Sequence, residues 1–227
     1  MEEATNGSEN RIKDKFILAC RILMNEGLIE GQYSISCRVE KKRMLINDNV
    51  SPLLINRKNI LSNTFDEEVK VGTVHPAIYK ARPDVNAIVH AHPLHAIVLS
   101  TLDDAFIPLN NPGTLFHDKI KVYKSHGQVS TNERAEEIAK LLGDGMAILQ
   151  RGHGTIVVGK SLEEAVLATI YLEEAARAQY MAKIIGQPHY FSKAASKETA
   201  KQVFKERSTI KAWDHYVAKV NWKMKTP

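Results

Sequence analysis

The run Val85-Asn-Ala-Ile-Val-His-Ala-His-Pro93 carries both the fold and the chemistry of this chain. Asn86 to Ala91 is short, mostly apolar and bounded by turn-forming residues, which predicts a buried strand. Side chains alternate across a strand, so His90 and His92, two apart, project together from its end. Pro93 then ends the strand geometry. Two imidazoles side by side form a chelating pair for a divalent metal.

Elements of both kinds surround this strand. Ile12, Phe16, Cys20, Leu23 and Met24 fall at helical spacing, with Gly27 as the stop. Tyr33 to Val39 and Met44 to Asn47 read as strands, with Lys41 and Lys42 in the turn between them. Thr73 is placed to cap a helix running to Arg82, with Pro76 in its first turn and Pro83 ending it. Phe106 to Leu109 and Lys119 to Tyr123 are weaker strand candidates. Ser130 and Glu133 form one capping box, for a helix ending at Gly143. Met146 to Leu149 and Thr155 to Val158 are strands joined by Arg151-Gly152-His153-Gly154. Ser161 and Glu164 form a second capping box, for a helix reaching Ile185 and stopping at Gly186. A last helix covers much of Lys197 to Lys219. Mixed elements with hairpin-like joins predict an α/β chain built on a mainly antiparallel sheet with helices on its faces. No repeat or linker divides it, so residues 1–227 are expected to form one domain with a basic helical tail over 197–227.

Composition narrows the class. Hydrophobic residues make up 44% and charged residues 25% of the 227, which excludes disordered, collagen-like and coiled-coil chains. From Lys201 onward seven basic residues face only Glu206 and Asp214, so the whole net charge of +5 lies in the tail. The body is electrically balanced, and nucleic acid is not the expected partner. Cys20 and Cys37 lack metal-ligand spacing and suit a reducing compartment. The polar, acidic first ten residues are wrong for a signal peptide, and no apolar run approaches a membrane span. The expected location is the cytoplasm.

The histidines supply the chemistry. His153 is the best third ligand, because Gly152 and Gly154 frame it in a tight turn whose backbone can approach other groups closely. Three histidines with open positions describe a catalytic rather than a closed structural metal site. His95 is read as a supporting or packing residue, and His75 as a helix-start residue or a site residue. His117 and His126 read as loop residues, and His189 and His215 as ordinary ones. Among the acids Asp66, Glu67 and Glu68, Glu68 is the catalytic candidate. No glycine-rich phosphate loop and no Gly-x-Ser-x-Gly elbow is present.

Three segments resemble the class II aldolase/adducin family. They are His75-Pro-Ala-Ile-Tyr-Lys-Ala-Arg-Pro-Asp-Val-Asn-Ala-Ile-Val-His-Ala-His, then Gln150-Arg-Gly-His-Gly-Thr-Ile-Val-Val-Gly followed by Ser161-Leu-Glu-Glu-Ala, and Gly31-Gln-Tyr-Ser. The likeness runs from about Asn10 to Gly186. It implies a three-layer α/β/α sandwich around a mainly antiparallel sheet, assembled as a homotetramer with sites between subunits. It also implies His90, His92 and His153 as ligands of one divalent ion per subunit. Zinc suits three histidines, and manganese, iron or cobalt also fit. Val71 stands where the family's aldolases carry a catalytic glutamate, and valine cannot transfer a proton, so Glu67 or Glu68 is expected to fill the space. Val69-Lys70 match the aldolases' Ser-Ser pair, Asn49-Val50 match their Thr-Gly turn, and Gln32 replaces an asparagine. Gly31, Gln32 and Lys70 are therefore the expected substrate contacts. Arg151-Gly-His-Gly and Lys211-Ala-Trp-Asp-His-Tyr resemble the family's decarboxylases of small hydroxylated carboxylates.

The resemblance implies a metal-dependent carbon–carbon lyase whose enolate the metal stabilises, by aldol cleavage or decarboxylation, with His75 or a bound water supplying the proton. The alternative is a non-catalytic adducin-like interaction module. The basic, Trp-containing tail is expected to pack on or cover a neighbouring subunit's site.

Overall fold

The structure is a computed structural model that describes residues 2–102, 106–117, 120–125 and 127–223, the first five and the last as backbone only. His126 and Lys119 lie outside the described residues.

Seven strands form one sheet: β1 (Ser34–Glu40), β2 (Arg43–Asn47), β3 (Ile60–Thr64), β4 (Ala87–Ala91), β5 (Lys121–Tyr123), β6 (Ala147–Gln150) and β7 (Gly154–Gly159). Their order is β3-β2-β1-β4-β7-β6-β5, and every pairing is antiparallel except β5 with β6. The helices are α1 (Glu2–Asn25), α2 (Val74–Ala81), α3 (Leu94–Ser100), α4 (Asn132–Leu142), α5 (Leu162–Ile185), α6 (Lys193–Val203) and α7 (Glu206–Lys223).

Strand alternation sorts the helices into two layers. On one face Ile35, Cys37, Leu45, Val89 and Ala91 pack with Phe16, Cys20 and Leu23 of α1, Val166 and Ile170 of α5, and Trp213 and Val220 of α7. On the other face Met44, Ile46, Ile88, Ile148, Ile156 and Val158 pack with Ile78 and Tyr79 of α2 and Ile138 and Leu142 of α4. A third cluster joins Ala96 and Leu99 of α3 to Leu149, Val157 and the second half of α5. The expected α/β/α sandwich around a mainly antiparallel sheet is therefore the observed fold. Cys20 and Cys37 are buried free thiols, and burial pushes both up to about 12.

Several local expectations shift. Thr131, not Ser130, caps α4, its hydroxyl accepting from the Arg134 N–H. Ser161 caps α5 as expected, accepting from Glu164 N–H at 3.2 Å, but Glu164 returns its bond to Lys160 N–H. Thr73 makes no side-chain cap to α2. Residues 106–109 form no strand, because Phe106 serves packing, edge-on to Phe116 at 5.9 Å. The last helix is two, broken at Phe204 and Lys205. The tail packs at least partly on its own chain: Trp213 is buried, and Lys219 Nζ bonds Glu26 at 2.8 Å. No helix among the described residues is long and apolar enough to cross a membrane.

Candidate metal centre and its cavity

Strand pairing assembles the three histidines. Ala91 of β4 pairs with Thr155 of β7, so the β6–β7 turn swings His153 alongside the end of β4. Ring-centroid distances are 4.9 Å for His90–His92, 5.2 Å for His90–His153 and 5.3 Å for His92–His153. One ring nitrogen from each can be chosen so that all lie within 4.8 Å of one another. β4 ends at Ala91, so His92 is the first residue beyond it, held by its N–H donating to Leu28 C=O at 2.9 Å.

The two framing glycines act for different reasons. Gly152 has φ +65°, a left-handed conformation that L side chains rarely adopt. Gly154 lies against the pair itself. A Cβ there would stand 2.6 Å from the Ala91 carbonyl oxygen and 2.8 Å from His92 Cδ2.

The rings suit a metal chemically. His90 Nδ1 lies 3.0 Å from the Thr155 carbonyl, to which it donates, leaving Nε2 with a free lone pair. The His92 ring also bonds the backbone of Gln32. His153 Nδ1 is buried with no hydrogen-bond partner. Burial, reinforced by His92 and His153, drives His90 down to about 3. Burial also lowers His92 and His153. Neutral imidazole is the form that binds metal.

The cluster faces a cavity of about 510 Å³. Glu68, Lys70 and Gln32 line it, so the chain brings these three expected site residues to the histidines. Gly31 is exposed and outside the lining. Val71 lines the cavity as well. The Glu67 carboxylate instead accepts the Thr64 N–H at 2.8 Å and lies outside the lining, which separates the two candidate acids. Asp66 pairs with Lys80 at 2.8 Å.

His75 is placed differently from a proton donor open to substrate. It is fully buried, does not line the cavity, and has both ring nitrogens bonded to serine hydroxyls, Ser34 Oγ at 2.8 Å and Ser36 Oγ at 2.6 Å. Burial, then His90, lowers it to about 3. His95 lies outside the cluster. Its Nδ1 meets Glu173 Oε1 at 2.6 Å, while the same carboxylate accepts the N–H groups of His95 and Ala96 at the start of α3. Sequence reasoning missed Gln150, buried in the lining with Oε1 unpartnered, and Gln128 and Ser130, which also line the cavity. A lone glutamine carries no spacing signal that could have found them.

Known proteins resemble this chain in sequence and in fold. Residues 14–180 match the profile of the family described as Class II Aldolase and Adducin N-terminal domain. The decarboxylase NovR of Streptomyces niveus is 28% identical over 144 residues, 63% of this chain and 52% of that protein, so the chain spans about half that relative's length. The L-fuculose phosphate aldolase of Methanocaldococcus jannaschii is 30% identical over 172 residues, 73% of this chain and 93% of that one. A solved aldolase II superfamily protein from Pseudomonas syringae shares the fold, with a TM-score of 0.82 and 20% identity over 94% of this chain and 93% of that chain. With most of its length matched and the sandwich reproduced, the chain belongs to the class II aldolase and adducin N-terminal domain family.

Proposed function

We propose that the protein is a divalent-metal-dependent carbon–carbon lyase acting on a small hydroxy or oxo compound. One observation carries this reading: His90, His92 and His153 converge on a cavity that also presents a carboxylate, Glu68, and an ammonium, Lys70. When bound there, a divalent ion supplies Lewis acidity toward a substrate oxygen that gains negative charge as the carbon–carbon bond breaks. Zinc is our assignment, and manganese, iron or cobalt would also suit the ligands.

The chain's own residues complete the chemistry. Lys70 offers a positive charge to a carboxylate or other anionic group. Gln32 contacts the substrate from the loop whose backbone bonds the His92 ring. Glu68 takes the place of the family's glutamate, at a different position in sequence, and moves the proton that aldol cleavage removes from a hydroxyl. In decarboxylation the same group, or water in the open cavity, returns a proton to carbon. His75 serves to position others. We read the working assembly as a cytoplasmic homotetramer of single-domain subunits, with sites between them.

The test is metal analysis joined to product detection. Protein purified without chelator is expected to hold one metal per subunit and to release carbon dioxide or an aldehyde from a panel of hydroxylated acids. His92→Ala is expected to lose both metal and turnover, and a fully metallated, active variant would sink the reading. Val71 in the cavity wall favours a second reading, a non-catalytic adducin-like module. Protein without stoichiometric metal would favour it.

A further inference from the structure

Below the metal cluster runs a buried chain of hydroxyl and imidazole groups that the reaction above does not use. Ser34 and Ser36, two apart on β1, face α2, where His75 and Tyr79 lie one turn apart. Ser34 Oγ meets His75 Nε2 at 2.8 Å, Ser36 Oγ meets His75 Nδ1 at 2.6 Å, and Ser36 Oγ meets Tyr79 Oη at 2.8 Å. All four side chains are at most 1% exposed. Arg38 locks the far end, stacked 4.9 Å from the Tyr79 ring and donating to the carbonyls of Tyr79 and Arg82.

The direction of this chain follows from counting donors. A buried O–H or N–H without an acceptor is costly. Among the described residues Tyr79 Oη bonds only Ser36 Oγ, so the phenol donates to Ser36. Among the described residues the Ser36 hydrogen then has one acceptor within reach, His75 Nδ1. The His75 proton therefore sits on Nε2 and is donated to Ser34 Oγ. The opposite tautomer leaves a hydrogen of Ser36 or Tyr79 with no acceptor. A doubly protonated ring would also donate from Nε2 to Ser34, so the result for Ser34 does not depend on the charge of His75.

Ser34 is where the chain meets the cavity. It lines the wall and pairs in register with His90, so its side chain stands beside that ring on the same face. Gly72, with φ +70°, covers the rest: a Cβ there would lie 2.6 Å from His75 Cδ2 and 3.0 Å from Ser34 Oγ.

We propose that Ser34 is a substrate-positioning residue, its hydroxyl obliged by the Tyr79–Ser36–His75 chain to act as a donor toward an anionic substrate oxygen, of carboxylate or enolate type, beside His90. His75 Nε2–H takes one of the two lone pairs of the serine oxygen, and among the described residues no acceptor competes for the serine hydrogen, which is left to a ligand in the cavity. This favours an acceptor oxygen of the substrate at that place. The inference rests on the lyase reading for the identity of the ligand, but the orientation of the chain does not.

The test uses the metal-loaded full chain and oxalate, a dianion that resembles a small enolate-bearing acid. Ser34→Ala is expected to weaken oxalate binding, measured by calorimetry, about tenfold or more, as for a hydrogen bond to a charged group. Its metal content should be unchanged. Ser34→Thr, which keeps the hydroxyl, is expected to stay within about threefold of the parent. Nitrogen-15 spectra of the histidine rings are expected to show the His75 proton on Nε2. A proton on Nδ1 alone, or equal oxalate affinity in Ser34→Ala and the parent, overturns the proposal. If the parent binds neither metal nor oxalate, the lyase reading falls and takes the substrate contact with it, while the His75 tautomer still decides the chain's direction.

Discussion

His75 is fully buried and His90 partly so, both lie on the same side of the sheet, and burial drives both to about 3. Yet they differ in what their nitrogens meet. His75 has both satisfied by serine hydroxyls. His90 has Nδ1 engaged by a carbonyl and Nε2 open toward two more imidazoles. Burial therefore does not separate a ligand from a support. The unspent lone pair, where three rings converge on a cavity, does.

The sharpest way to break this contrast is to remove one ring from each side. His153→Ala is expected to lower metal affinity at least about a hundredfold, beyond the 10–100-fold that follows loss of a supporting residue. His75→Gln should keep the metal stoichiometry of the parent. Metal analysis after dialysis reads both, and equal losses would erase the distinction.

The framing glycines test the same point more gently. Gly154→Ala forces a methyl against the Ala91 carbonyl and His92, so roughly 10–100-fold loss of metal affinity is expected, as when ligand orientation is disturbed. Gly152→Ala meets no neighbour within 4 Å, and its left-handed φ should cost only about 1–2 kcal/mol of stability with metal retained. Thermal unfolding and metal titration separate the two.

Acid exposes what burial does. Folded-state values near 3 for His75 and His90 lie below the ordinary 6.5, so between those limits the unfolded chain binds more protons. Stability of the metal-free protein therefore falls as pH drops from about 6.5 toward 3, by about 1.4 kcal/mol per pH unit for each such group. Denaturant titrations across that range check the slope, and His75→Gln should flatten it. A slope unchanged by that substitution would show that His75 does not contribute it.

The smallest effect belongs far from the cavity. Ser161→Ala removes the oxygen that accepts from Glu164 N–H, with an expected loss of about 1 kcal/mol. For a chain of this size that is roughly 2–4 °C in Tm, with metal content unchanged.

The strands that carry a clear apolar run or alternation were legible, as were α5 with its Ser161 cap and Gly186 stop. β3 was not. Ile-Leu-Ser-Asn-Thr buries only Ile60 fully and sits at the sheet edge, where one neighbour, β2, suffices and no alternation is demanded. Phe106 shows the reverse error: its apolar character reflects contact with Phe116, not a ladder. The three histidines were readable because His-x-His at a strand end and a glycine-framed histidine are local patterns. Glu68 was the expected acid, but no local pattern separates it from Glu67: the turn that ties Glu67 to Thr64, and the place of Glu68 in the cavity lining, come from the fold.

By itself the sequence determined that this chain alternates helices and strands about a mainly antiparallel sheet, that its charge excess lies in the tail, and that three histidines occupy placed positions. Those features follow from local spacing, capping and backbone freedom. Only the tertiary structure decided that the β4–β7 register joins His153 to His90 and His92, that Glu68 and not Glu67 lines their cavity, and that His75 is sealed behind Gly72 with both ring nitrogens on serine hydroxyls. Those outcomes depend on which distant segments pair and on how each buried hydrogen finds an acceptor, and no local pattern encodes either.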